Sequence, residues 1–432
     1  MADGQQLRTR LRLAFLIYAH IVICCVSLVQ IAYYRVPIAF SPTTFHIFYD
    51  PARLHIAVMV VAAFALVALF FVFADFSFGY FVGFYFYTMI LSYLWLNCFT
   101  DLNYDHRRAG LSAAASAVAF LLPALWIRSP VSQAYTLSER HFDQLLRAIL
   151  LLGAATVAVG ATYNFRFVAI ADIYDYRDSM SSPTIVNYLI LMFSSALLPF
   201  AFAGFVAREA RREAGAVLVL LLLFYPVTLS KLALFTPFWL LAMLMLSILF
   251  RARTAVVLSL SSVILIGVIL FVTFNTQGAW YFATVNFRMI AVPSVAMDVY
   301  NDFFSRHDLT YFCQISWLKP VMQCPYQEQL SLVMEKAYKL GNFNGSLFVT
   351  EGIASVGSVF APVAAFVCGL VIALGNRASA GLPAGFVLLS GAVLPQVFLN
   401  VPLSVALLSH GTGLLFVLWS VTPRAIFAPG ER

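Results

Sequence analysis

The segment from residue 164 to 183 combines cationic, anionic and phenolic side chains at high density. They are Arg166, Asp172, Tyr174, Asp175, Tyr176, Arg177 and Asp178. Arginine presents a planar set of donors that matches phosphate oxygens, and carboxylates accept hydrogen bonds from sugar hydroxyls. We therefore interpret this segment as a site for a phosphorylated, sugar-bearing ligand. The alternative is an interfacial loop with internal ion pairs and an aromatic belt.

A longer polar segment, from about residue 275 to 346, carries a second group of reactive side chains. Asp298 and Asp302 are four residues apart, so on a helix they share a face while Tyr300 turns elsewhere. The two carboxylates could hold a sugar hydroxyl, but we favour the simpler interpretation that water solvates them. The aromatic residues that open the segment are expected to form a short amphipathic helix on the bilayer surface.

Two further ionisable residues border apolar runs. Glu351 lies about one helical turn inside such a run, where a carboxylate is costly unless it faces protein or a water-filled cavity. It is therefore a candidate functional residue, or else it pairs with a cation at the membrane edge, and Gly352 and Gly357 would permit close helix approach. Lys231, in a short break between two apolar runs, either snorkels to the interface or meets an anionic ligand.

The amino-acid composition indicates the class of protein to which these residues belong. The 432-residue chain is 62% hydrophobic and only 10% charged, whereas an ordinary globular protein is about a quarter charged. This excludes a soluble protein, a disordered chain, a nucleic-acid binder with dense basic clusters, and a disulfide-stapled secreted domain. A polytopic membrane protein remains, with the lipid bilayer as its partner and no nucleic acid.

The hydropathy pattern predicts an all-α polytopic integral membrane protein with about 12 transmembrane helices and one large external loop. A helix that crosses the roughly 30 Å hydrocarbon layer needs about 20 mostly apolar residues. Helices 1–9, with the short external loop 164–183, occupy residues 1–274, the large loop spans 275–346, and helices 10–12 occupy 347–432. The predicted spans are 13–34, 54–74, 78–99, 109–127, 145–163, 184–206, 215–230, 232–250, 255–274, 347–374, 382–399 and 403–422.

Charge indicates the orientation of these spans. Ser230 and Lys231 are interpreted as a hairpin between spans seven and eight, with one long broken helix as the alternative. Fourteen arginines then lie on the side of the N-terminus, against seven arginines and lysines in the short loops opposite. Because cytoplasmic loops carry an excess of basic residues, both termini are predicted to be cytoplasmic. Twelve of the 19 carboxylates face the exterior.

Cysteines and histidines add two smaller expectations. Cys313 and Cys324 lie in the long external loop, where an oxidising compartment would allow a disulfide, and their pairing is left open. The other four cysteines fall in predicted spans and are interpreted as packing residues. His20 and His410 are expected to be hydrogen-bonded core groups. The chain carries no zinc-binding spacing, P-loop or catalytic-serine motif.

Taken together, the external segments resemble those of Wzy-type O-antigen and oligosaccharide repeat-unit polymerases. The likeness lies in a basic and aromatic loop at mid-chain, an Arg-x-x-x-x-Pro element, and an Asn-x-x-x-x-x-x-Glu-Gly element before a glycine-rich helix. The residues that carry it are Arg166 with Arg177, Arg288 to Pro293, Asp298 to Phe304, and Asn344 to Gly357. In one departure, many relatives have arginine near the hairpin where this chain has Lys231.

The resemblance implies a membrane glycosyltransferase of the bacterial inner membrane that builds lipopolysaccharide O-antigen or a related polysaccharide. A polyprenyl-diphosphate-linked glycan donor is transferred to the terminal sugar of a second lipid-linked unit, the acceptor, on the periplasmic side. Glu351, Asp298 and Asp175 are the catalytic candidates. The candidates for binding diphosphate or sugar are Arg166, Arg177, Lys231, Arg288, Tyr300 and Asn344. No metal or cofactor is expected, and a chain-length regulator and a flippase are left open as protein partners.

Three other functions remain open at this point. An O-antigen ligase would use a similar build with a lipid-anchored core saccharide as the acceptor. A lipid-linked oligosaccharide flippase or secondary transporter should place polar residues deep in several spans, whereas the ionisable residues here concentrate outside. A membrane O-acyltransferase would need a reactive histidine in or near a span, for which His410 is the candidate.

Overall fold

The computed structural model of this protein describes residues 2–33, 45–131, 133, 135–169, 172, 173, 176, 180–274, 276–315, 318, 320–341 and 345–427. These residues form helices and connecting segments with no β-strand, apart from an isolated antiparallel bridge between Ile47 and Thr100. The all-α membrane fold predicted from the sequence is therefore confirmed.

Nineteen α-helices are described. In chain order, α1 to α19 are Ala2–Tyr33, Leu54–Phe64, Leu69–Phe73, Phe78–Leu96, His106–Trp126, Glu139–Tyr163, Thr184–Met192, Leu198–Ala207, Arg211–Thr228, Lys231–Leu249, Ala252–Phe274, Thr276–Tyr281, Val292–Phe304, Leu330–Tyr338, Ser355–Ser379, Ala384–Ser390, Leu394–Phe398, Leu403–Leu408 and Thr412–Val421. Three π-helical segments continue neighbouring helices, at Phe193–Leu197, Phe282–Ala291 and Phe348–Ala354.

Nine helical stretches in the described residues are long and apolar enough to cross a membrane. The count of about twelve therefore stays a prediction, and the C-terminal region expected to hold two spans is divided into the short helices α16 to α19. The hairpin between α9 and α10 is confirmed, because Leu229 adopts a left-handed conformation (φ 46°) that ends α9, and α10 begins at Lys231.

The chain divides into two compact units. Unit 1 comprises Met1–Ile127, Arg253–Ala373 and Phe398–Leu403, and unit 2 comprises Arg128–Ala252, Leu374–Val397 and Ser404–Arg432. Of the described candidate residues, Arg166 and Lys231 belong to unit 2, whereas Arg288, Asp298, Tyr300 and Glu351 belong to unit 1. Each unit is described by itself below.

Unit 1 is built around α4. Every residue of α4 is buried, and the helix contacts α1, α2, α5 and α13. A helix that is apolar on all sides is most stable when other helices surround it and bury its whole surface. Edge-to-face contacts of Phe71 with Phe84 and of Phe86 with Phe348 fill its surroundings. The imidazole of His20 bonds with Thr88 and Ser261, which confirms the expectation of a hydrogen-bonded core histidine.

Unit 2 is built around α6, α8, α9, α10 and α16. α9 packs against α6, α8 and α10, and α16 packs against α8. The indole of Trp239 donates to the carbonyl of Ala392 at 3.0 Å, and Phe200 meets Phe386 edge to face. His410 Nδ1 lies 3.0 Å from the hydroxyl of Ser195, and both side chains are buried. His410 is therefore also a hydrogen-bonded core residue, as predicted.

Within each unit, loops predicted on the same side of the membrane lie together. In unit 1, the backbone of Phe48 donates to the carbonyl of Phe99, and both residues lie on the predicted external side. Arg253 donates to the carbonyl of Ala74, and both of these lie on the predicted cytoplasmic side. In unit 2, Arg208 pairs with Glu139 and Asp143, all predicted on the cytoplasmic side. These contacts join segments predicted on the same side of the membrane, and the full topology and its orientation stay predictions.

The segment that opens the predicted large loop differs from its prediction. α12, the π-helical segment Phe282–Ala291 and α13 form one helical stretch that packs against α1 and α4 rather than on the bilayer surface. Phe282 stacks on Phe271, and the amide of Asn286 donates to the carbonyl of Ile264 at 2.8 Å. The sequence pattern missed this because aromatic residues suit a helix interface as well as a membrane surface.

Candidate functional site

Two carboxylates on α13 form the centre of the candidate site in unit 1. The side chains of Asp298 and Asp302 are 1% and 2% exposed, so the expectation that water solvates them is wrong. α13 packs against α4 and the π-helical segment Phe348–Ala354, and these neighbours exclude water. The predicted shared face is confirmed, since Asp298 meets Tyr104 and Asp302 meets the adjacent Asn103.

Asp302 is surrounded by hydrogen-bond donors. Its Oδ1 accepts from the backbone N–H of Asn103 at 3.0 Å, and its Oδ2 accepts from the hydroxyl of Tyr338 at 2.5 Å and from the guanidinium of Arg306. A buried carboxylate is tolerated when it is paired and hydrogen-bonded in this way. Asp302 therefore joins α13 to the α4–α5 loop and to α14, which is a structural role.

Asp298 is satisfied on one oxygen only. Its Oδ1 accepts from the hydroxyl of Tyr104 at 2.5 Å, while its buried Oδ2 has no hydrogen-bond partner among the described residues. Burial raises the pKa of the Asp298 carboxyl well above its usual range, and the hydrogen bond from Tyr104 offsets part of this rise. A carboxylate with a raised pKa and an available oxygen can take a proton from a hydroxyl near neutral pH.

The hydroxyl of Tyr104 connects Asp298 to a second acceptor. It lies 2.5 Å from Oδ1 of Asp298 and 2.9 Å from Oδ1 of Asn97, and a phenol has one proton to share between them. When Asp298 is ionised, Tyr104 donates to it. When Asp298 gains a proton, the carboxyl can donate to the phenol oxygen and Tyr104 can donate to Asn97. The arrangement accommodates both protonation states of Asp298.

The loop between α4 and α5 positions Tyr104 through local hydrogen bonds. Asp105 caps α5, because its carboxylate accepts from the backbone N–H of Arg108 at 2.9 Å. The amide of Asn97 donates to the carbonyl of His106 at 2.9 Å, and the rings of Tyr104 and His106 lie 4.2 Å apart. These contacts hold the loop across the end of α13.

A disulfide-bonded segment covers the same end of α13. Cys313 and Cys324 are bonded, with a Cα–Cα distance of 5.4 Å, so the pairing that the sequence left open is present. Tyr326, just beyond this bridge, packs its ring against Phe303 and Phe304 at centroid distances of 5.9 Å. The segment continues into α14, which supplies Tyr338 to Asp302. The disulfide therefore restrains the chain that completes the carboxylate site.

Glu351 lies in the π-helical segment Phe348–Ala354 and is 6% exposed. The helix breaks at Gly357, whose φ of 72° and ψ of 168° are outside the helical region. Glu351 is therefore on a separate turn packed against α13 and not inside one continuous straight helix. A Cβ built on Gly352 would lie 3.4 Å from the Cβ of Ala361, so the two parts approach closely, as predicted.

The other unit 1 candidates lie away from the carboxylate centre or outside the described residues. Arg288 is exposed on the π-helical segment before α13. Tyr300 is buried, with its ring 5.9 Å from that of Phe304, and it turns away from the carboxylate face as predicted. That burial makes Tyr300 a packing residue in this conformation. Asn344 lies outside the residues that the structure describes.

In unit 2, the structure brings the start of the 164–183 segment onto the α9–α10 hairpin. The backbone N–H of Arg166 donates to the carbonyl of Pro226 at 2.9 Å, and the hydroxyl of Tyr225 donates to the carbonyl of Val168. The guanidinium of Arg166 lies 5.9 Å from the ring centroid of Tyr176, and both side chains are exposed. Lys231 is half-buried at the start of α10. Asp175 and Arg177 lie outside the described residues.

Sequence reasoning missed three residues that form the carboxylate centre: Tyr104, Arg306 and Tyr338. Arg306 had a detectable signal, since it stands four residues after Asp302 and carries the opposite charge. Tyr104 and Tyr338 are 194 and 36 residues distant from their carboxylate partners. No spacing rule connects residues so far apart, and only the packing of α13 against the α4–α5 loop and α14 reveals them.

No group of three or more His, Cys, Asp or Glu side chains suited to a metal ion occurs among the residues that the structure describes. Comparisons with protein-family models, curated proteins and solved structures found no match for this chain.

Proposed function

We propose that this chain is a membrane glycosyltransferase that polymerises polyprenyl-diphosphate-linked oligosaccharide repeat units into O-antigen or a related surface polysaccharide. The observation that carries the proposal is the buried Asp298 carboxyl, with a raised pKa and an oxygen that no hydrogen-bond donor satisfies among the described residues. The resemblance of the external segments supplies the reaction class. In this proposal the protein lies in the bacterial inner membrane with both termini in the cytoplasm.

Asp298 acts as the general base in the proposed reaction. The oxygen of the acceptor hydroxyl forms a bond to the anomeric carbon of the donor sugar, and the bond from that carbon to the diphosphate oxygen breaks. The hydroxyl proton passes to Asp298, and the bonding electrons leave with polyprenyl diphosphate. With the proton on Oδ2, Oδ1 still accepts from the hydroxyl of Tyr104, so the protonated carboxyl keeps a hydrogen-bond partner. General-base catalysis of this kind contributes a factor of about 10² to 10⁴ in rate.

The disulfide supports placing the site outside the cytoplasm. Disulfides persist in oxidising compartments such as the bacterial periplasm and are rare in the cytosol. The bridge between Cys313 and Cys324 lies in the segment that covers Asp302, so the carboxylate centre shares its compartment. This agrees with the periplasmic reaction that the resemblance implies.

Deletion of the gene, followed by analysis of cell-surface glycan on a gel, tests the proposed reaction. A polymerase mutant should carry a single repeat unit on the lipid-anchored core, and wild-type protein should restore the long chains. An O-antigen ligase, which transfers glycan to a different acceptor, would instead leave no repeat unit on the core while lipid-linked polymer accumulates. Unchanged long chains after deletion would rule out both activities.

A further inference from the structure

An open groove of about 560 Å³ runs along α5 and α15 in unit 1. At one end are the guanidinium groups of Arg107 and Arg108, both exposed, in the first turn of α5. Along the rest of the groove are the apolar side chains of Leu111, Val359 and Pro362. The volume falls within the range of sites that hold small molecules and cofactors.

The polar and apolar parts of the groove lie at different depths of a membrane span. Leu111 follows Arg107 by four residues along α5, which corresponds to about 6 Å of rise. Leu111 and Val359 are 65% and 64% exposed on helices long enough to cross a membrane, so the bilayer is open to them. The groove thus pairs cations at headgroup level with an apolar channel below.

The polar end of the groove carries a net positive charge, which suits an anionic group. Asp105 lies 3.4 Å from Arg108 and offsets one guanidinium, while Arg107 adds a second exposed cation. Guanidinium groups bind phosphate oxygens through paired donors. A polyprenyl diphosphate combines such an anionic group with a long apolar chain.

The groove also leads toward the carboxylate helix. Ser112 lines both the groove and a small enclosed pocket bordered by Met297 and Asn301 of α13. Its hydroxyl donates to the carbonyl of Ser358, another residue that lines the groove. Asn301 adjoins Asp302 in the chain, so the inner pocket borders the helix that carries both carboxylates.

We propose that this groove binds the polyprenyl diphosphate group of the donor lipid, with Arg107 and Arg108 on the phosphates and the chain along Leu111 and Val359. The proposal rests on the glycosyltransferase function proposed above and names the site of its donor. These two arginines supply positive charge to the leaving diphosphate, a role that the sequence had assigned to Arg288 and to the residues of unit 2.

The test is binding of a photoreactive polyprenyl diphosphate to the purified protein in detergent. Substituting both arginines, Arg107→Gln with Arg108→Gln, should weaken binding by about tenfold or more, because two charge-assisted contacts are lost. Val359→Trp should weaken it independently by filling the channel. Arg53→Gln is the matched control, since Arg53 is an exposed arginine of the same unit that pairs with Asp50 outside the groove.

Two competitors identify the ligand. Phosphatidylglycerol should displace the probe poorly, and inorganic diphosphate should compete only at high concentration. Equal binding by wild type and the double-arginine and Val359→Trp variants would overturn the groove while leaving the proposed function intact. Displacement by phosphatidylglycerol as effective as by the unlabelled polyprenyl lipid would also overturn it. Wild-type protein that binds no polyprenyl diphosphate would defeat the proposed function and this inference together.

Discussion

The two units hold their charged candidates in opposite ways. In unit 1, Asp298 and Asp302 are buried and bonded to side chains from distant parts of the chain. In unit 2, Arg166 and Tyr176 are exposed, and their contact spans ten residues. A buried charge is costly unless neighbouring groups are arranged for it, whereas an exposed pair contributes little to stability. The arrangement in unit 1 therefore carries more information about function.

A second contrast lies within unit 1. Among the residues that the structure describes, Asp302 accepts from three donors, whereas Asp298 accepts from Tyr104 alone and its buried Oδ2 has no partner. A fully satisfied carboxylate stabilises the fold, and an incompletely satisfied one costs stability and is retained where chemistry needs it. We therefore assign Asp302 to structure and Asp298 to catalysis, and this division can be tested.

The largest effect is expected from Asp298→Asn. An amide keeps the size of the carboxyl group but cannot accept a proton, so chain extension should fall by about 10² to 10⁴. The measurement is polymer length and rate with purified protein and lipid-linked repeat units. Asp308→Asn is the control, because Asp308 is an exposed carboxylate of the same segment. Chain extension by Asp298→Asn at the wild-type rate would remove Asp298 from catalysis.

Asp302→Asn should have its main effect on stability. The amide keeps one acceptor oxygen, so whichever way it turns its N–H group faces a donor, either the backbone N–H of Asn103 or the pair Tyr338 and Arg306. Because Arg306 is about half exposed and solvent screens its charge, we expect a loss of about 2 kcal/mol rather than the larger cost of a fully buried pair. Thermal unfolding in detergent measures it. A lower unfolding temperature for Asp298→Asn than for Asp302→Asn would reverse the assignment.

The pH dependence distinguishes Asp298 from an ordinary carboxylate. A base must be ionised, so activity should rise as the pH rises through the raised pKa of Asp298. As the pH falls, activity should therefore be lost at a higher pH than it would be for an exposed carboxyl. Tyr104→Phe removes a hydrogen bond that favours the ionised form, so the acidic limb should move to still higher pH. Rates measured from pH 5 to 9 in both proteins check this. An acidic limb that is identical in both would show that Tyr104 does not tune the base.

Much of the fold was predictable because the membrane imposes it. Apolar runs of about 20 residues and the basic residues between them identify the helices, and the hairpin at Ser230 and Lys231 follows from a polar break. Burial of α13 was not predictable, because Asp298 and Asp302 lower its hydropathy below that of a span. Tyr104 and Tyr338 donate the hydrogen bonds that compensate for the burial of these carboxylates, and the positions of both tyrosines depend on tertiary packing.

The candidate site was predictable only in part for a related reason. Asp298 was identified by type and spacing, but its role depends on which oxygen lacks a donor, and that is a property of the packed structure. Arg107 and Arg108 appeared in the sequence only as two of the seven basic residues of the short external loops. The role proposed for them depends on the apolar groove beside them, which requires α5 and α15 to lie together.

The smallest effect is expected from a substitution in unit 2, which tests whether the exposed residues there take part in the chemistry. Arg166→Ala removes an exposed cation from the ring of Tyr176, which contributes about 0.5 to 1 kcal/mol. The unfolding temperature should change little and the kcat of chain extension should be preserved, because the proposed base, Asp298, belongs to unit 1. Lys231→Gln is the companion variant on the adjoining hairpin. A fall in kcat for Arg166→Ala as large as that for Asp298→Asn would place the chemistry in unit 2, since only a group acting in the transition state lowers kcat in this way.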